Sequence, residues 1–328
     1  MTASIMKGTF MSHHLVAGAG PVGTTTARLL AEQGHTVTVL TRSGTGPHHP
    51  AITLERGDAA DVSGLTRLAG LHGGVAAIYN CVNPPYHRWP TDWPPVHGAF
   101  MVAAERSGAV LVMIDNLYAF GPDAPMPMHE DDPMLATGRK GAVRRTMATE
   151  ILEAHVAGRI RGTLARASDF IGPEVTGSAM GERVVPRVLA GKKVSVLGAI
   201  DVPHHFSYMP DVARTLATIA TDDRAWGRAW HVPNAPAVSQ SHTVHALAAA
   251  AGTKVKVTSI PGAALKLLGV FSPMMRELQE TSYQFERPWI ADTTHTEQTL
   301  GLTATPLAEQ AAATVAWWRA RRSAERTG

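Results

Sequence analysis

Six residues near the N-terminus, Gly18-Ala19-Gly20-Pro21-Val22-Gly23, have types and spacing suited to cradling a phosphate. The first glycine permits a tight turn, the second lets backbone approach a pyrophosphate, and the third allows close helix–strand packing. An apolar run, Leu15-Val16-Ala17, leads into the turn, and a helical pattern carrying Val22, Leu29 and Leu30 leads out of it. The start of that helix offers free N–H groups and partial positive charge. A dinucleotide is therefore the expected ligand, with Gly18, Gly20, Pro21, Val22 and Gly23 as its contacts. The next β-rich run, Thr36 to Leu40, ends in Thr41-Arg42-Ser43 rather than in the acidic residue that holds the ribose hydroxyls of NAD. Arg42 can pair with a 2′-phosphate and Ser43 can add a hydrogen bond. NADP(H) is thus preferred, with NAD(H) still possible. Asp58, after a third strand, either meets the adenine or shapes a turn.

Other groups capable of chemistry lie further along. The segment Asn83-Pro84-Pro85-Tyr86-His87-Arg88-Trp89-Pro90 follows a fourth strand, where the C-terminal edge of a parallel sheet opens onto a ligand crevice. Tyr86 and Trp89 are expected to cover a nicotinamide or a substrate, or else to anchor the loop. His204 and His205 precede Phe206-Ser207-Tyr208, and His205 is the candidate for the pocket wall. Arg166 suits an anionic substrate. The sixteen histidines include three adjacent pairs but no H-E-x-x-H, and neighbours in a strand or loop rarely converge on one ion, so no metal site is expected.

These residues need elements to hold them. Strand-like runs at Leu15–Ala17, Thr36–Leu40, Ile52–Leu54, Val75–Val82, Val110–Ile114 and Gly162–Ala167 alternate with helical stretches, including about 96–107 and 141–157. Parallel strands require crossover connections, so this order predicts an α/β fold with a doubly wound parallel sheet of Rossmann type. Beyond residue 170, Pro203, Pro210, Pro233 and Pro236 punctuate shorter elements. The expected division is a dinucleotide-binding core over 11–170, with 203–235 returning to it. A smaller substrate lobe would comprise 171–202 and 236–316, with terminal extensions at 1–10 and 317–328. Trp317-Trp318 would pack a final helix or a homodimer contact.

In order along the chain, Gly18 to Gly23, Arg42, Gly57-Asp58, Asn80-Cys81-Val82-Asn83 and Leu117-Tyr118-Ala119-Phe120-Gly121-Pro122 form a recognisable set. Arg166 to Pro173 and Tyr208-Met209-Pro210-Asp211-Val212-Ala213 extend it. Together they resemble the short-chain dehydrogenase/reductase superfamily, in particular its extended and atypical NAD(P)-dependent epimerase/dehydratase-like branch. The resemblance implies a Rossmann core, with Asn83 near the cofactor. It also implies chemistry from Ser or Thr with Tyr-x-x-x-Lys, in which tyrosine moves the substrate proton while lysine lowers its pKa. The five tyrosines are followed at the fourth position by Asn83, Pro90, Pro122, Val212 and Arg287, so that pair is absent. Asn116 stands where the serine belongs, and Gly141 and Arg145 stand where the tyrosine and lysine belong. A displaced acid is then expected: Tyr118, with Lys140 or Arg145 supplying positive charge and Asn116 orienting the substrate.

Composition narrows the classes. The 328 residues are 45% hydrophobic and 17% charged, with a net charge of +3 and no concentrated basic face, which argues against a nucleic-acid partner. A single cysteine precludes an intrachain disulfide. No apolar run reaches the ~20 residues that cross a bilayer, and the first ten residues do not read as a signal, so a cytoplasmic location is expected. No G-x-S-x-G elbow supports a serine hydrolase. The expected function is an NADP(H)-dependent oxidoreductase of a small carbonyl, alcohol or imine. The alternatives are an epimerase, dehydratase or cyclase that retains its nucleotide, and a dinucleotide-binding regulator.

Overall fold

The computed structural model describes residues 11–260, 277 and 279–327. Its first half runs β1 (His13–Ala17), α1 (Pro21–Glu32), β2 (Thr36–Thr41), β3 (Ile52–Arg56), α2 (Val62–Ala69) and β4 (Ala77–Asn80). It continues through α3 (Trp89–Ser107), β5 (Val110–Asn116), α4 (Arg139–Val156) and β6 (Arg161–Ala167). Then come β7 (Asp169–Ile171), α5 (Val185–Leu189), β8 (Val194–Leu197), β9 (Pro203–His204), β10 (Phe206–Tyr208), α6 (Met209–Thr221) and β11 (Ala229–His231). The remainder is β12 (Val238–Ser239), α7 (Gln240–Ala251), β13 (Val257–Ile260), α8 (Thr294–Leu300) and α9 (Leu307–Thr327).

Seven strands form one sheet in the order β11-β6-β5-β4-β1-β2-β3, and every pairing is parallel. Such a sheet buries both faces, and its strands divide their residues between two cores. Along β5, Leu111 and Met113 join Leu65, Phe100 and Met147 from α2, α3 and α4. Val110, Val112 and Ile114 face the opposite side, with Leu30 of α1 and Leu216 of α6. The connections reverse direction between β1 and β4, which opens a crevice at their C-terminal ends.

Two expectations need correction. Helix α3 begins at Trp89, not near 96, although Pro94 and Pro95 lie inside it. Trp89 and Trp93, four residues apart and 1% and 0% exposed, bury one face of that first stretch and offset the hydrogen bonds the prolines remove. Helix α9 runs on to Thr327, with Trp318 buried in a third core beside Val185, Val194 and Leu247. The expected terminal extension at 317 therefore starts inside a packed helix, while the other, residues 1–10, lies outside the described residues. Among the described residues, no helix is long and apolar enough to cross a membrane.

Candidate active site

The glycine turn follows β1 directly. Gly18 has φ +101°, its N–H donates to the Leu40 carbonyl at 2.9 Å, and a Cβ there would come 2.7 Å from the Cys81 carbonyl oxygen. A Cβ on Gly23 would overlap the Gly18 carbonyl oxygen. Gly20 differs: its φ is −71° and a Cβ would meet nothing within 4 Å among the described residues. It borders open space before the first turn of α1, whose leading N–H groups have no carbonyl behind them in the helix. The turn thus fits a dinucleotide pyrophosphate, with Pro21 opening the helix and Val22 on the adjoining cleft wall. Arg42 and Ser43 are exposed just past β2, and the Ser43 and Thr45 hydroxyls share a 2.7 Å hydrogen bond. Asp58 accepts from the Ala60 N–H at 2.9 Å, which gives it the turn-shaping role.

A cleft opens at the edge of β4, β5 and β6, and Asn83, Tyr86, Asn116 and Tyr118 all line it. Asn116 ends β5, and its side-chain oxygen accepts the Tyr118 N–H at 3.0 Å, turning the chain so that the phenol enters the cleft. The Tyr118 and Tyr86 hydroxyls are 3.2 Å apart, and Gln284 Nε2 donates to Tyr118 from 3.5 Å. Burial pushes the Tyr118 phenol well above its ordinary pKa, and Tyr86 and Asp169 push the same way. Tyr118 is thereby kept protonated, as a proton donor must be. Burial also raises the Tyr86 phenol, against the opposing hydrogen bond from Tyr118. Trp89 shows only an edge: it is 1% exposed, and its indole N–H donates to the Pro84 carbonyl at 2.9 Å, anchoring the loop.

The expected cations lie elsewhere. Lys140 is buried, with Nζ 2.5 Å from Glu277 and 3.1 Å from Glu280, and it lies 5.7 Å from the centroid of the Tyr86 ring without lining the cleft. Arg145 does not line the cleft; Arg144 does. Consecutive helical residues point about 100° apart, so a one-residue offset decides which arginine enters. The Arg144 guanidinium lies 4.6 Å from the ring centroids of both Trp89 and Trp93, donates to the Ile114 carbonyl at 3.2 Å and stands 3.7 Å from Asp115. Arg166 is not on the wall either. It is buried 3.5 Å from Asp115 and donates to the Glu130 carbonyl at 2.9 Å, bracing the loop under the site instead of meeting an anionic substrate. His205 is also off the wall, where burial pulls its pKa down to about 4 and its Nδ1 accepts the Ala291 N–H at 3.3 Å. Its neighbour His204 bonds Asp169, a cleft residue, at 2.9 Å. Arg144 and Gln284 escape a reading of the sequence because each reaches the cleft from a distant segment without a motif of its own, and Asp169 is read only as part of the Arg166 to Pro173 stretch.

Residues 14–232 match the model of the NAD dependent epimerase/dehydratase family. The chain belongs to that family. No curated protein matches the sequence. Solved structures similar to this epimerase/dehydratase-family enzyme include the Bordetella bronchiseptica enzyme WbmH in complex with NAD+, at 21% identity and a TM-score of 0.71, covering 94% of this chain and 99% of that one. UDP-glucose 4-epimerase from Thermotoga maritima, with UDP-glucose, has 16% identity and a TM-score of 0.78 over 94% and 99% of the two chains. dTDP-glucose 4,6-dehydratase from Bacillus anthracis, in complex with NAD, has 12% identity and a TM-score of 0.75 over 95% and 98%. At these identities the likeness carries the fold.

Proposed function

We propose that this family member is an NADP(H)-dependent oxidoreductase acting on a carbonyl, alcohol or imine of a small molecule. The observation that carries the reading is the Tyr118 hydroxyl, inside the cleft and held protonated 3.2 Å from the Tyr86 hydroxyl. The nicotinamide, when bound, supplies or takes the hydride. Gly18 to Gly23 would hold its pyrophosphate, and Asn83 borders the crevice. Tyr118 gives its proton to the substrate oxygen or nitrogen, and Tyr86, half-buried beside it, is placed to restore that proton. Arg144, between two indoles, supplies the positive charge that favours the deprotonated phenol once the proton has gone. The preference for NADP(H) rests on exposed Arg42 at the end of β2, although two of the similar structures hold NAD.

A second reading, a nucleotide-retaining epimerase, dehydratase or cyclase, is favoured by the family match itself. Both readings are tested by incubating the enzyme with NADPH carrying a labelled hydride and a panel of small carbonyls and imines. Label in the product with stoichiometric NADP+ supports the oxidoreductase. Turnover without accumulation of oxidised cofactor assigns the enzyme to the second class.

A further inference from the structure

The chain leaves β6 at Ala167 and enters β7 at Asp169, which sets Ser168 and Asp169 on the cleft wall. Asp169 is held from behind by His204. That imidazole stacks on Phe285, with centroids 5.1 Å apart and planes 14° apart. Its Nδ1 is 3.1 Å from the Gln284 carbonyl oxygen and its Nε2 is 2.9 Å from Asp169 Oδ2. A carbonyl only accepts, so Nδ1 carries a proton. Asp169 Oδ2 is committed to that imidazole. Oδ1 makes no hydrogen bond among the described residues, and the side chain is 16% exposed.

Two hydroxyls share this wall. Ser168 Oγ and Ser178 Oγ are both buried without a hydrogen-bond partner among the described residues, and both residues line the cleft. Ser168 is 8% exposed, and its fold-directed bond is made by its backbone N–H, which donates to Ser207 Oγ at 2.9 Å. Buried polar groups are normally satisfied, and two unfilled hydroxyls beside the part-exposed Asp169 Oδ1 mark a surface shaped for a polar ligand.

We propose that Asp169, Ser168 and Ser178 are specificity-determining residues that recognise the hydroxyl groups of an uncharged, polyhydroxylated substrate, with His204 as a positioning residue. This inference rests on the reading that the cleft is the substrate site. Substrate hydroxyls donate to Asp169 Oδ1, while the serine hydroxyls rotate to donate or accept. The half-buried rings of Tyr86 and Phe170 offer apolar faces to the C–H side of such a ligand. A phosphate on this wall would set acceptor against acceptor at Asp169.

The test uses full-length enzyme saturated with NADP+. The probes are free hexoses and pentitols, their monophosphates, and UDP-glucose, with binding read by saturation-transfer NMR and turnover by NADPH formation. Uncharged polyols should bind in preference to both phosphorylated classes. Asp169→Asn should raise their KM about tenfold, the step from a charge-assisted to a neutral hydrogen bond, with NADP+ affinity unchanged. Ser168→Ala should shift KM in the same direction. His204→Gln can still donate to Asp169 and should stay within about threefold of wild type, whereas His204→Leu should follow Asp169→Asn. Preferred binding of the phosphates or UDP-glucose, no binding of either class, or an unaltered preference in Asp169→Asn would overturn the proposal. Polyol binding without hydride transfer would uphold this specificity and count against the oxidoreductase reading.

Discussion

The backbone carbonyl of Tyr118 packs against Gly141 so closely that a Cβ at position 141 would lie 2.7 Å from the Tyr118 oxygen. Position 141 is where the resemblance would place the catalytic tyrosine of α4. Here the space beside the helix is filled by the loop that carries Tyr118, so the phenol reaches the cleft from β5.

Gly141→Ala therefore loses stability even though alanine is the better helix former by about 1 kcal/mol. The added methyl would also overlap Ala136 Cβ, and overpacking of this kind costs about 1–3 kcal/mol. Thermal unfolding should show a lower Tm together with impaired turnover, because the Tyr118 loop must move. An unchanged Tm would mean that the loop yields freely.

Gly20 and Gly23 should respond in opposite ways. Gly20→Val places its side chain in open space at an ordinary backbone angle, so circular dichroism and Tm stay near wild type while NADPH binding is lost. Gly23→Val drives a side chain into the Gly18 carbonyl and should unfold or strongly destabilise the domain. Retained nucleotide binding by Gly20→Val would remove the pyrophosphate from this turn.

Buried histidines predict acid sensitivity. Burial lowers His14 to about 3, and His205 and His231 to about 4, all below the ordinary value of 6.5. Between pH 6.5 and 4 the unfolded chain binds protons that the native state refuses, so stability falls as pH drops through that window. Three such groups give a slope of up to about 4 kcal/mol per pH unit. His14 is 0% exposed with neither ring nitrogen bonded among the described residues, so His14→Met should remove about a third of that slope in denaturant titrations. An unaltered slope would place the proton uptake elsewhere.

Cofactor choice is tested at Arg42. Losing one bidentate arginine–phosphate contact costs about 1.5–3 kcal/mol, roughly ten- to hundredfold in Kd. Arg42→Ala should weaken NADP+ by that factor and leave NAD+ nearly unchanged. Tighter binding of NAD+ than of NADP+ by the wild type would reverse the assignment.

What was legible in the sequence follows from how locally each feature is determined. Gly18 to Gly23 can be read because turn geometry and close approach leave few alternatives to glycine, and the sheet can be read because β1 to β6 are short apolar runs between helical ones. Tyr118 follows from its place just past β5. Arg144 was missed by one residue, an error a linear motif cannot detect but a helix turns into a different face. Asp169, His204 and Gln284 meet only after β7, β9 and a segment over a hundred residues from Asp169 fold together. Three prolines hid the start of α3 because two buried indoles outweigh their local cost.

The central claim is that Tyr118 is the proton donor in a hydride-transferring site. Its most direct test is single-turnover reduction by Tyr118→Phe, with NADPH affinity measured on the same sample. The account predicts unchanged NADPH binding and a chemical step slowed about 10²- to 10⁴-fold, since only the phenolic oxygen and its proton are removed. Label transfer from NADPH to product at the wild-type rate in Tyr118→Phe would contradict it.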